Sequence, residues 1–305
     1  MVSDYPLVSI CLPVYNGAEF IEGAIKSILN TTYPNLEVIV SDDNSTDETL
    51  ALIQAANLPN LKLLTHSRYG LVKNWNYCWS QAQGKYIKFL FQDDLITPNC
   101  IQEMVAVAEK NDKIALVFSA RHLLNDTPLP VKHFPEKLHT GWSNLQAIQT
   151  GLSLLSDPKL FQHPHNKIGE PTCTLIRTSI DQTLGKFDPS FCQYVDLEMW
   201  YRIMSEYDIA FVDQPLASFR IHPQQETQAN LRKTDTWLEI YQVWKKVLTD
   251  ASYDPIPASI RQQFKRLFWQ QIGLEISKKM IKLEIDRAIA LTKIVLQSMR
   301  NQEKD

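Results

Sequence analysis

The apolar residues of this chain follow two rhythms that alternate along its first half. Residues 7–13, 36–41, 61–64, 86–91 and 113–119 are short runs dominated by aliphatic and aromatic side chains. Runs of that length and content predict buried strands. Between them, residues 19–29, 45 to about 56, 72–82 and 98–110 carry apolar positions three and four apart, as in Phe20, Ile21, Ala24, Ile25, Ile28 and Leu29. That spacing is the helical period. Ser45, three residues before Glu48, predicts a capping box, and Thr97 before Pro98 predicts a cap with proline in the first helical position. Five strands alternating with helices at βαβ length predict an α/β fold. It is a Rossmann-like, mainly parallel sheet with helices on both faces.

After about residue 120 the rhythm breaks. Residues 121–139 contain Pro128, Pro130 and Pro135 without periodicity and read as a loop. A helix is expected over 144–155, a strand over 172–177, a turn at 187–190 and a helix over 197–206. Two short strands follow at 209–212 and 217–221. From Glu226 the pattern is helical. Leu231, Trp237, Ile240, Tyr241, Trp244 and Val247 share one face, Pro255 and Pro257 break it, and a second helical region covers 260–299. The expected organisation is therefore 1–225 as one α/β domain, divided near residue 120, and 226–305 as a helical C-terminal extension.

Composition narrows the class. With 305 residues, 44% hydrophobic and 21% charged, the chain is that of an ordinary globular protein. A net charge of -3 gives no sign of nucleic-acid binding. Five scattered cysteines with no Cys-x-x-Cys pair signal neither zinc nor a disulfide framework. No secretory leader or membrane span is visible, so a cytoplasmic location is expected. The tail from Ile256 has ten basic and five acidic residues, with Phe264, Leu267, Phe268 and Trp269 beside Arg261, Lys265 and Arg266. Such a face can lie on the inner surface of a membrane as a peripheral contact, pack on the main domain, or join a second subunit as a homodimer. Packing is the expectation.

The candidate chemistry gathers where strands end. Residues 86–91 run into the adjacent carboxylates Asp93 and Asp94, and 36–41 run into Asp42 and Asp43. Paired acids at a strand end repel and are costly to desolvate, which a divalent cation offsets; oxygen ligands suit Mg²⁺ or Mn²⁺. In open α/β sheets these ends border the ligand crevice. A carboxylate there can accept from ribose hydroxyls or a base N–H, and Tyr15 can stack on a nucleobase. Lys73, opening a helix, can reach a diphosphate. Each has a plainer alternative: a helix-capping acid, a packed tyrosine, a solvated lysine. Asp196 and Glu198 open another helix, where acids complement the dipole. The sharper reading makes Asp196 a general base. His222 is a candidate metal or phosphate ligand. Neither the P-loop nor the dinucleotide glycine pattern occurs.

With Pro13-Val-Tyr-Asn16, Asp42-Asp-Asn-Ser-Thr-Asp47, Gly84-Lys-Tyr-Ile87 leading into Asp93-Asp94, Phe187-Asp188, Asp196 to Trp200, and Arg220-Ile-His222 laid out in order, residues 8–222 resemble a family 2 glycosyltransferase of the GT-A fold. The resemblance implies that Pro13, Tyr15 and Asp43 surround the nucleoside, that Asp93 approaches the ribose, and that Asp94 holds Mn²⁺ or Mg²⁺ on the diphosphate. It implies that Asp196 is the base of an inverting, metal-dependent transfer. The donor is expected to be a nucleotide sugar, UDP-linked, and the acceptor a surface glycan or lipid-linked hydroxyl. Val195 stands where the family has Glu, which leaves open any contact that acid makes to the acceptor. The Gly169-Glu-Pro171 segment and Trp142 are candidates for the acceptor side. A sugar nucleotidyltransferase and a Mg²⁺-binding phosphoacceptor domain remain the alternatives.

Overall fold

The computed structural model describes residues 5–125, 135–232, 238–281, 284 and 287–294. β1 (Val8–Val14) is buried along its whole length because it lies mid-sheet with helices over both faces. Its side chains alternate, with Val8, Ile10, Leu12 and Val14 joining one apolar cluster and Cys11 the other. β2 (Leu36–Asp42) repeats this, Val38 and Val40 on one side and Ile39 on the other. A pleated strand imposes that period of two. β1 pairs in parallel with β2 and with β4 (Tyr86–Phe89), and β2 pairs in parallel with β3 (Leu61–Thr65). α1 (Ile21–Leu29), α2 (Thr49–Ala55) and α4 (Cys100–Ala108) feed the first cluster, and α3 (Leu71–Ser80) the second.

The second half departs from the expected rhythm. β6 (Ile114–Asn125) is not the next parallel neighbour of β4. β8 (Thr174–Arg177) inserts between them, antiparallel to both. β6 also runs on to Asn125, where a loop was expected. It does so because β9 (Asp208–Ile221) pairs with it in parallel as far as Asn125↔Ile221. β9 is one strand where two were expected. Pro215, which broke the pattern, sits opposite Ala120 at a register shift, a place where a strand tolerates proline. The expected helix over 144–155 is a short strand, β7 (Ile148–Thr150), followed by α5 (Gly151–Leu155). β5 (Leu95–Ile96) and β7 both pair antiparallel with β9. Pro128, Pro130 and Trp237 lie outside the described residues.

Two predicted helix starts are shifted. α2 begins at Thr49 with no side-chain cap from Ser45, whose Oγ instead accepts from the Asn16 N–H at 3.0 Å. α4 begins at Cys100, not at Pro98. Lys88 is a buried cation in β4. Its ammonium donates to Thr174 O at 3.1 Å and to Thr172 O, which pins residues 172–174 against the end of the parallel strands.

The C-terminal helices share the core of the α/β unit. α7 (Val195–Glu206), α9 (Glu239–Thr249) and α10 (Ala258–Ile281) contribute to the same cluster as β6 and β8. Phe161 stacks on Trp244 and Phe264, with ring centroids 4.7 and 4.6 Å apart. Phe264, Phe268 and Ile272 recur every fourth residue and are buried, each worth roughly 1.5–3 kcal/mol of transfer free energy. The face of the tail formed by Phe264, Phe268 and Ile272 thus packs on the main domain, and the exposed surface carries Arg266 and Lys278 together with Leu274, Met280 and Ile289.

Candidate active site

Parallel pairing brings the carboxyl ends of β2, β1 and β4 side by side, with Pro13 opposite Ser41 and Cys11 opposite Phe89. They form one wall of a cavity of about 680 Å³. Pro13, Tyr15, Asp43, Asp93, Asp94 and His222 all line it. The β1–α1 turn and the loop after β4 are joined by the Gln92 carboxamide, which accepts from Tyr15 N at 2.9 Å and donates to Tyr15 O at 3.1 Å.

Asp43 is buried and accepts from the backbone N–H of Tyr69 at 2.5 Å and Gly70 at 2.9 Å. Gly70 has φ +85°, so this turn favours glycine. The turn carries Arg68, whose guanidinium lies 3.2 Å over the Tyr15 ring and 4.0 Å from the Asp43 carboxylate. Asp42 turns inward and accepts from Ser45 N at 3.1 Å. Lys73 is exposed on α3 and does not line the cavity, where Leu71, Asn74 and Trp75 are found instead. Helical rotation carries position 73 away from the face that its buried neighbours Val72 and Trp75 occupy. A cation beside Tyr15 is Arg68, which sequence reasoning missed; its proximity to Tyr15 is set by the fold.

Asp94 is buried, its carboxylate accepting from Thr172 Oγ1 at 2.7 Å and Arg220 N at 3.1 Å. Burial, and then the neighbouring Asp93 charge, hold its carboxyl well above the usual range. Asp93 is more open and receives His222 Nε2 at 2.9 Å. Burial alone would lower the His222 pKa, but the bond to Asp93 outweighs it and the net shift is upward. His222 Nδ1 lies 3.3 Å from Gln224 Oε1. Both ring nitrogens are therefore engaged, and His222 belongs to Asp93 in this arrangement. Among the described residues no group of three or more His, Cys, Asp or Glu side chains is set to hold a metal. The adjacent carboxylates nevertheless fit Mg²⁺ or Mn²⁺, which need only one or two carboxylates when substrate phosphates supply further oxygens.

A further part of the lining is built by α7 and the segment before β8. Asp196, the second residue of α7, accepts from Leu197 N at 2.7 Å and from Asn166 Nδ2 at 2.8 Å. Asn166 is itself fixed, its Oδ1 accepting from the N–H of Ile168 and Gly169. Burial, with the charge of Glu170 adding, pushes the Asp196 carboxyl up to about 7, against the pull of those donors. Glu170 lines the cavity and is paired with the buried Arg121. Glu198 does not face the site, being buried between Arg202 and Lys246 at 2.8 Å from each. Trp142, expected on the acceptor side, is buried in the core and absent from the cavity lining. Asn166 and Arg121 had no sequence signal beyond their residue type.

Residues 9–185 match the family model described as Glycosyl transferase family 2. The chain belongs to that family. A glycosyltransferase of Rickettsia prowazekii (strain Madrid E), RP339, itself uncharacterized, is 29% identical over 289 residues, covering 94% of this chain and 85% of the relative. The structure of S. aureus TarS residues 1–349 in complex with UDP-GlcNAc superposes with a TM-score of 0.66 at 18% identity, over 87% of this chain and 71% of that 1–349 chain. The mannosyltransferase PcManGT of Pyrobaculum calidifontis, solved with GDP-Man and Mn²⁺, superposes at 0.59 with 15% identity, over 98% and 88% of the two chains. The fold is the GT-A fold of glycosyltransferases, with the parallel ladders β3-β2-β1-β4 and β6-β9 as its longest. Membership in this family sets aside the nucleotidyltransferase and phosphoacceptor alternatives.

Proposed function

We propose that this glycosyltransferase moves a hexosyl group from a nucleotide sugar, UDP-linked, to a hydroxyl of a glycan, in a cytoplasmic step of polysaccharide assembly. The observation that carries the reading is one cavity lined by acids from two parts of the chain, Asp93 and Asp94 after β4 and Asp196 in α7. Tyr15 and Asp43 are assigned to the nucleoside, Asp93 to the ribose and Asp94 to Mn²⁺ or Mg²⁺. A divalent ion bound there supplies neutralisation of the charge that develops on the departing diphosphate. Tyr15 offers a ring face, provided Arg68 shifts from above it. His222 orients Asp93 through its Nε2 hydrogen bond.

Asp196 takes the proton of the acceptor hydroxyl at its carboxylate, and the hydroxyl oxygen displaces the nucleoside diphosphate in one inverting step. An acid with a pKa near working pH suits a general base. Asn166 fixes the orientation of that carboxylate. The relatives' ligands support the donor class: TarS is solved with UDP-GlcNAc and PcManGT with GDP-Man. The chain divides, in this reading, into a nucleotide half to about residue 120, an acceptor half to 225, and helices 226–305 that buttress the acceptor half. Among the described residues no helix is long and apolar enough to cross a membrane.

The test is incubation of the protein with a panel of nucleotide sugars and Mn²⁺, with nucleoside diphosphate release as the readout. Slow release from one donor, accelerated by a hydroxyl acceptor, is the expected result. Absence of release from every donor, with and without glycan acceptors, would overturn the reading.

A further inference from the structure

The base-bearing segment is held by a residue of the C-terminal helices, and both lie outside the matched residues 9–185. Glu239 opens α9 and is buried. Its carboxylate accepts from three consecutive backbone N–H groups: Cys192 at 3.0 and 3.1 Å, Gln193 at 2.8 Å and Tyr194 at 3.1 Å. Tyr194 is the residue before α7, and α7 has no side-chain cap of its own. Glu239 therefore does from another helix what a capping side chain does locally, and its charge favours the positive end of α7. From α8 (Glu226–Arg232), Asn230 Nδ2 donates to Cys192 O at 3.0 Å, gripping the same turn. Charge-assisted bonds of this kind are about twice as strong as neutral ones. The segment they fix ends two residues before Asp196.

We propose that Glu239 is a positioning residue: by anchoring residues 192–194 it sets where the Asp196 carboxylate enters the cavity. The inference rests on the reading of Asp196 as base. It gives the C-terminal helices a part in the reaction. A comparator lies on the same helix. Lys246 bridges Glu198 at 2.8 Å and Asp188 at 3.2 Å, tying α9 to α7 without touching residues 192–196. If α9 merely glues the fold, Glu239 and Lys246 should behave alike.

The test uses the full chain and the variants Glu239→Gln, Glu239→Asp, Lys246→Met and Asp196→Asn. The probes are the nucleotide sugar selected by the donor panel and its nucleoside diphosphate with Mn²⁺. Glu239→Gln keeps the size but replaces one accepting oxygen by a donor. Its nucleoside diphosphate affinity should stay within about twofold while kcat falls about 10- to 100-fold, the scale of a misplaced catalytic group. The acid limb of its kcat–pH profile should move to lower pH as Asp196 relaxes toward solvent. The groups that bear on Asp196 there are Glu170 and Asn166, with Tyr194 beside it. Glu239→Asp should recover part of kcat. Lys246→Met should lower Tm and leave kcat and the limb in place. Equal losses of kcat in Glu239→Gln and Lys246→Met, in step with Tm, would overturn the inference. So would an unmoved kcat in Glu239→Gln when Asp196→Asn is inactive. An active Asp196→Asn enzyme overturns this inference together with the base assignment beneath it.

Discussion

At the scale of single residues, the site separates its carboxylates by environment. Asp196 sits where burial and Glu170 raise its pKa to about 7, and Asp94 is raised by burial and by Asp93. As base, Asp196 must be ionised, so activity should fall as pH drops below about 7. Asp196→Asn keeps the shape and cannot take the proton, so turnover should fall about 10²–10⁴-fold with donor affinity little changed. Stability supplies a readout independent of catalysis. A raised folded pKa means the native state binds this proton more tightly than the unfolded chain. The resulting stabilisation is full below about pH 4 and is lost as pH rises through about 7. Asp196→Asn should therefore be more stable than the parent at about pH 8, by on the order of 1–2 kcal/mol after allowance for solvent screening, with the gap narrowing toward pH 5. Thermal unfolding at both pH values checks it; an equal gap at both removes the shift. After β4, Asp94→Asn should cancel most of the gain in nucleoside diphosphate affinity that Mn²⁺ confers, about tenfold or more. Calorimetry with and without EDTA decides this, and a gain that survives in the variant would take Asp94 out of the metal site.

At the scale of elements, close backbone approach explains a glycine that the sequence pattern left unremarked. Gly151 opens α5 against the end of α7, and its N–H donates to Tyr207 O at 3.0 Å. A Cβ there would lie 2.2 Å from Met204 O and 2.4 Å from Met204 Cα. Both are backbone atoms of a packed helix and cannot yield as a side chain tip would. Gly151→Ala should cost roughly 1–3 kcal/mol and lower Tm by several degrees, because α5 must separate from α7. An unchanged melting curve would show that the two helices have room to part. The β6–β9 pair follows a related logic. Pro215 is accommodated because the ladder already shifts register opposite Ala120, so one long strand reaches from Asp208 to Ile221 and delivers the next residue, His222, to Asp93.

For the whole molecule, the C-terminal helices complete the core. Removing the chain from Pro257 onward would expose Phe161, Trp244 and Tyr241 by deleting Phe264, Phe268 and Ile272. Loss of one such buried aromatic costs about 3–5 kcal/mol, a large share of a domain's total stability. The truncated protein should fail to accumulate in soluble form. A soluble truncation that binds nucleoside diphosphate normally would show that α10 is dispensable to the fold. A peripheral membrane contact by the described tail would use its exposed surface, where the charged Arg266 and Lys278 and the apolar Leu274, Met280 and Ile289 all stand open. Co-sedimentation with anionic vesicles should then be weak and reduced by salt.

The local pattern of the chain determined most of the first half. Continuous apolar runs became strands, buried except for β3, which lies at the sheet edge and is only half-buried; helical spacing became amphipathic helices, and parallel βαβ units put Tyr15, Asp43 and Asp93 at one set of strand ends. Those are short-range consequences of side-chain period and burial, and they are legible in one dimension. Tertiary structure decided what depends on partners far apart in sequence. It inserted β8 between β4 and β6, extended β6 because β9 lay beside it, and carried Lys73 out of the cavity while bringing Arg68 into it. It also buried Trp142 and gave Asp196 its Asn166 and its raised pKa. The least legible feature was Glu239, an acid on an otherwise apolar helical face. Only the folded chain shows that its carboxylate meets three backbone N–H groups more than forty residues away. A burial or a hydrogen bond across such a distance leaves no mark on local periodicity, because the energy that selects it appears only once both segments are in place.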